Sequence, residues 1–153
     1  MEELFTSLIV LQFLIIGIHD WIEIPGWLHG RQIQAVVGQR KLAWATAINL
    51  VFPGLAVAYA VRFYQLPKPG YVLDYWLIYT ALTVVMAVLS WWVPYLIGSA
   101  PAHREQYAKM YAGTRHVLPL RGSDPGPNLA HIVFHVLFLG TFALAVTLRV
   151  NGR

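Results

Sequence analysis

The stretch LAHIVFHVLFLGTFALAVTL, residues 129–148, decides how this chain is read. It holds no Asp, Glu, Lys or Arg and matches the ~20 apolar residues that a helix needs to cross ~30 Å of hydrocarbon. Three further neutral runs of similar length lie between Glu3 and Asp20, Lys41 and Arg62, and Asp74 and Arg104. Neutral length therefore predicts four spans, at about 4–23, 42–62, 75–97 and 129–148. Of 153 residues 58% are hydrophobic and 12% charged, with a mean hydropathy of +0.55, so the chain cannot clothe a soluble core in polar surface. The fold class is an all-α integral membrane protein, a single membrane domain over 1–153 built as a four-transmembrane-helix bundle.

Aromatic residues mark the span limits independently. In the third span Tyr75 and Trp76 stand at one end and Trp91, Trp92 and Tyr95 at the other, roughly 24 Å apart at 1.5 Å per residue, as interfacial anchors do. Trp44 and the pair Phe63 and Tyr64 bracket the second span in the same way. The first apolar run follows Met1-Glu2-Glu3 rather than a basic segment and ends at His19-Asp20 rather than a small-residue cleavage site, which predicts a retained helix. The chain has no cysteine, which excludes disulfides, Fe–S clusters and thiol chemistry within it. Lys and Arg outnumber Asp and Glu by 11 to 7, an excess that in a membrane protein marks loops facing anionic lipid, with no nucleic-acid partner implied.

Four spans put the loops 24–41 and 98–128 on one side and the termini with loop 63–74 on the other. Arg31, Arg40, Lys41, Arg104, Lys109, Arg115 and Arg121 fall on the first side; Arg62, Lys68, Arg149 and Arg153 fall on the second. The excess of basic residues predicts the first side as cytoplasmic, with the N- and C-termini outside. The long loop 98–128 predicts a short interfacial amphipathic helix between spans 3 and 4, at about 100–112. Ser99 is its expected N-cap, Pro101 sits just inside it, Glu105 and Lys109 form an i,i+4 pair, and Gly113 stops it. Tyr107, Met110, Tyr111 and Thr114 share one face, which is expected to lie in the headgroup region. In the second span Ala43, Ala47, Gly54 and Ala58 form small-residue ridges suited to close helix approach.

The chemistry gathers on one side. All six histidines, His19, His29, His103, His116, His131 and His135, fall on or near the side of the two long loops. With the first helix running to residue 23, His19 and Glu23 are i,i+4 on a stripe shared with Gln12, and Asp20 lies beside them. His131 and His135 are i,i+4 in the fourth helix, with Asn128 at its mouth. Ionisable side chains facing lipid are costly, so both stripes are expected to face the bundle interior. Pro53 and Pro94 withdraw the hydrogen bonds normally received by the carbonyls of Asn49 and Ser90, and freed carbonyls at membrane depth need partners. These features predict a polar cavity in the loop-side half of the bundle.

Its expected use is metal-assisted catalysis on a lipid or other apolar small molecule, from the cytoplasmic side. His19, Glu23, His131 and His135 would be ligands to zinc or non-haem iron, Asp20 and Glu23 the catalytic acid–base groups, and Gln12, Asn49, Ser90 and Asn128 the surrounding polar support. Haem b between His19 and His131 or His135 is the other cofactor the spacing admits. Membrane di-iron desaturases carry adjacent histidine pairs, and this chain has none. A proton or solute transporter, and an accessory subunit held in a homo-oligomer or by a larger membrane partner, are the alternative functions.

Overall fold

The computed structural model describes residues 1–122 and 124–152. Among the described residues the protein is all-α apart from one short hairpin of two-residue strands, and three of the helices are long and apolar enough to cross a membrane. Helix α1 spans Glu2–Ile18; the strands β1 and β2, Glu23–Ile24 and Leu28–His29, pair antiparallel; α2 covers Gly30–Val37 and α3 Gln39–Arg62. Helix α4, Gly70–Ala87, runs on through a π turn, Val88–Trp92, into α5, Val93–Ile97, as one rod. Helices α6, Pro101–Met110, and α7, Leu129–Val150, complete the chain. The candidate membrane helices are Gln39–Arg62, Gly70–Ile97 and Leu129–Val150.

The second, third and fourth expected spans lie within these three helices, each a few residues longer than neutral length gives. The first span is corrected. Helix α1 stops at Ile18 after 17 residues, His19 to Trp21 turn the chain, and Glu23 enters the hairpin. The stop has a local cause in Pro25-Gly26: Gly26 takes φ +74 at the hairpin tip, a conformation that only glycine adopts cheaply. Gly30 is needed for a different reason, since a Cβ there would lie 2.6 Å from the Ile22 carbonyl oxygen. His19 and Glu23 therefore share no helical stripe.

Loops 24–41 and 98–128 fold together as a cap at one end of the bundle. The Arg115 amide donates to the Gly26 carbonyl (3.0 Å) and the Leu129 amide to the Arg115 carbonyl (2.8 Å). Helix α6 occupies the expected segment and forms its expected Lys109–Glu105 pair, but Ala100 is the N-cap residue. Ser99 is used elsewhere, its amide donating to the Asp124 carboxylate, which also binds Arg104. The aromatic face of α6 turns inward: Tyr107 is buried, its hydroxyl donating to the Gly126 carbonyl, and both Tyr107 and Tyr111 pack on Trp91. The face expected to meet headgroups is thus spent on protein. The opposite end is tied by Lys68–Glu2 and Arg149–Asp74.

The close-packed core lies in the half nearest the termini. Phe5 and Ile9 of α1, Ala56 and Ala60 of α3, Val72, Leu73 and Trp76 of α4 and Ala145 and Leu148 of α7 are all buried there. The small-residue ridge that carries helix contact is Ala56 and Ala60, whereas Ala43, Ala47 and Ala58 are exposed and only Gly54 of the expected set packs, against Phe13. Trp76 stacks obliquely on Phe5 with ring centroids 4.8 Å apart, and its indole donates to the Ala56 carbonyl (3.3 Å). Truncating it empties the centre of this core. Trp76→Ala should lower unfolding stability by about 3–5 kcal/mol, while Val136→Ala, on a surface-exposed position of α7, should change it by no more than about 0.5 kcal/mol. Thermal denaturation of the two variants in detergent checks this.

Candidate functional site

In the other half of the bundle the helices part around a cavity of about 640 Å³. Its walls are apolar: Ile15 and Ile16 of α1, Phe52 of α3, Leu82 and Met86 of α4, Phe134 and Phe138 of α7. At the cap end stand His19, Asp20, Trp91, Tyr111, His131 and His135. The wall residues from α1 and α7 are buried or half-buried. On the side of α3 and α4, Ile48, Asn49, Phe52, Ile78, Leu82 and Met86, with Ser90 of the π turn, line the cavity yet are exposed, while Pro53 and Tyr79 are buried. The cavity therefore opens sideways between α3 and α4. Where these two helices do touch, the contacts sit toward the termini: the Tyr75 hydroxyl donates to the Phe52 carbonyl (2.8 Å), Trp76 to Ala56, and Tyr59 packs edge-on against Tyr75.

Pro94 shapes the α4 wall. Lacking an N–H, it cannot serve the Ser90 carbonyl, and the preceding residues widen into the π turn, closed by the Val93 amide donating to the Val88 carbonyl. The turn sets Trp91 and Trp92 side by side against α7. Trp91 lies over His131 with centroids 3.5 Å apart, and the Trp92 indole donates to Nδ1 of His135 (3.1 Å). On α7 Asn128 is the N-cap. Its Oδ1 accepts from the His131 amide (3.0 Å) and also contacts Nδ1 of the His131 ring (2.7 Å).

At the end of α1, His19 uses both nitrogens. Nδ1 faces the Ile15 carbonyl (2.9 Å) and Nε2 the Asp20 carboxyl (3.1 Å). A carbonyl only accepts, so Nδ1 carries hydrogen, and the Nε2–Asp20 contact then holds one proton that either partner can bear. Tyr111 arrives from the cap. Burial, and the nearby Asp20 carboxylate, push its hydroxyl well above the ordinary tyrosine range, so it stays a hydrogen-bond donor.

Of the residues singled out from sequence, His19, Asp20, His131, His135, Asn49 and Ser90 all line the cavity, and Asn128 anchors the His131 ring from behind. Glu23 does not join them. It is exposed on the hairpin, where its carboxylate accepts from the Arg31 amide and lies 3.5 Å from His29 Nδ1. Gln12 is wholly buried one layer deeper, its Oε1 accepting from the Tyr79 hydroxyl (3.1 Å) and its Nε2 without a partner among the described residues. Among the described residues no group of three or more histidine or acidic side chains is placed to hold a metal ion. A zinc, iron or haem ligand set would have to draw His19 Nε2 away from Asp20. Trp91, Trp92 and Tyr111, expected at the interface, instead contact the α7 histidines, and the proline three residues after Trp91 is the signal that marks the two tryptophans.

Comparison with protein-family models, with curated proteins and with solved structures gives no match.

Asn128 serves two roles, cap and ring anchor. Asn128→Ala should cost about 0.5–2 kcal/mol, the usual loss for a helix cap, seen as a lowered midpoint in thermal denaturation.

Proposed function

We propose that the protein is a four-span membrane enzyme that admits an apolar or lipid molecule sideways from the bilayer and acts on its polar end by proton transfer. Helix α1 serves as the fourth span: its 17 residues reach the lower limit for crossing, and it packs between α3 and α7. The cap end faces the cytoplasm on the basic-residue count. The observation that carries the reading is the side opening between α3 and α4, because apolar residues flank an entrance to a cavity whose histidine and aspartate side chains lie at the cap end. A guest entering with its hydrocarbon between Phe52, Leu82 and Phe138 brings its polar group to His19, Asp20, Tyr111 and the two α7 histidines. The His19–Asp20 pair then gives or takes the shared proton, with Tyr111 as donor, in a place poor in water.

This reading assigns the proton transfer to groups that are already paired, His19 and Asp20, with Glu23 apart on the hairpin. Transport is disfavoured by the buried Phe5, Ile9 and Trp76, which close the half nearest the termini.

Met86→Trp should block the entrance. Mass spectrometry of protein purified in mild detergent is expected to find a co-purifying apolar compound in the native protein and in Val136→Trp, and to find it depleted at least about tenfold in Met86→Trp, as loss of a few apolar contacts implies. Asp20→Asn is expected to retain a guest that differs from the native one in chromatographic retention and fragmentation, the unconverted substrate. Equal retention in all three proteins removes the cavity reading, and a chemically identical guest in native protein and Asp20→Asn removes the catalytic one.

A further inference from the structure

Two side chains in the cavity are locked in opposite tautomers, and the locks follow from groups that can only donate. The His131 backbone amide donates to one side-chain atom of Asn128, which must therefore be the oxygen; the His131 Nδ1 that contacts the same oxygen at 2.7 Å must then carry a hydrogen. In the neutral ring that leaves Nε2 as a bare acceptor. The Trp92 indole N–H is likewise only a donor, so the His135 Nδ1 that receives it holds a lone pair and Nε2 carries the hydrogen. Neither Nε2 has a protein partner among the described residues, and both rings line the cavity. The pair thus offers one acceptor and one donor, one helical turn apart.

We propose that His131 and His135 together read a hydroxyl group, so that the cavity's guest is a long-chain or polycyclic alcohol. A hydroxyl oxygen hydrogen-bonded to a ring nitrogen lies roughly 4 Å from that ring's centroid. The two centroids are 6.3 Å apart, less than twice that distance, so the spacing of the rings admits one oxygen between them. It accepts from His135 Nε2–H and donates its own hydrogen to His131 Nε2. A ketone or an ether can only accept and leaves His131 unserved; an ammonium can only donate and leaves His135 unserved. Buried between Trp91, Phe134 and Phe138, an unserved nitrogen is costly, which is how such a site discriminates. The alignment is held from outside the cavity, by the N-cap of α7 and the π turn of the neighbouring rod, so it exists before the guest arrives.

The inference rests on the side-opening cavity being a binding site, and the test separates the two. Radiolabelled hexadecanol is bound to the full chain in nanodiscs, corrected for empty nanodiscs, and competed with unlabelled hexadecanol or methyl hexadecyl ether. The alcohol is expected to compete about tenfold better than the ether, the usual effect of leaving one buried polar group unpaired. His131→Phe should erase that preference while leaving ether binding intact. Trp92→Phe, which frees the His135 tautomer without touching the cavity's polar atoms, should reduce it. Equal competition by alcohol and ether in the native protein, with both lost in Met86→Trp, overturns the hydroxyl assignment and leaves the cavity standing. The absence of any saturable binding overturns both.

Discussion

The Trp92 indole reaches His135 because Pro94 leaves the Ser90 carbonyl without its usual donor and the rod relaxes into a π turn. In water such a defect is cheap; at membrane depth a broken backbone bond must be answered by protein. Here the answer turns two adjacent tryptophans toward α7, where one covers His131 and the other fixes the proton of His135. The cap follows from the same arrangement, since Tyr107 and Tyr111 pack on Trp91 and draw α6 down onto the bundle. Helix, cap and cavity are thus joined through one turn of irregular backbone.

The bundle divides its work along its length. Toward the termini, Trp76, Phe5 and the small residues Ala56 and Ala60 form one buried core shared by α1, α3, α4 and α7. Past Pro53 and the Tyr75–Phe52 hydrogen bond, α3 and α4 part company. A packed half holds the open half in shape, which is what a binding cavity requires if its polar groups are to be set beforehand. The buried Gln12–Tyr79 hydrogen bond marks the seam between them.

Much of this was legible in the chain itself. Long neutral runs located α3, the α4–α5 rod and α7, because hydrocarbon imposes a length that sequence cannot disguise. Pro53, Pro94 and the i,i+4 spacing of His131 and His135 located the polar half. What escaped was local or long-range in origin. Neutral length alone extends the first helix to residue 23 and so puts Glu23 in the cavity, whereas the helix ends at Ile18 and Glu23 lies on the hairpin. The inward face of α6 was read as membrane-facing because a row of tyrosines suits either a headgroup layer or a tryptophan, and only tertiary packing decides. Trp91 and Trp92 were masked for the same reason: an aromatic belt and an aromatic site wall look alike in one dimension.

The choice of guest stands or falls on the two histidine tautomers, since they set which hydrogen bonds the α7 face of the cavity offers. Nitrogen-15 spectra of histidine-labelled protein in bilayers, assigned with His131→Phe and His135→Phe, read them directly. The expected result is a neutral His131 protonated at Nδ1 and a neutral His135 protonated at Nε2. Finding both rings protonated at the same nitrogen, or both exchanging between forms, would contradict it.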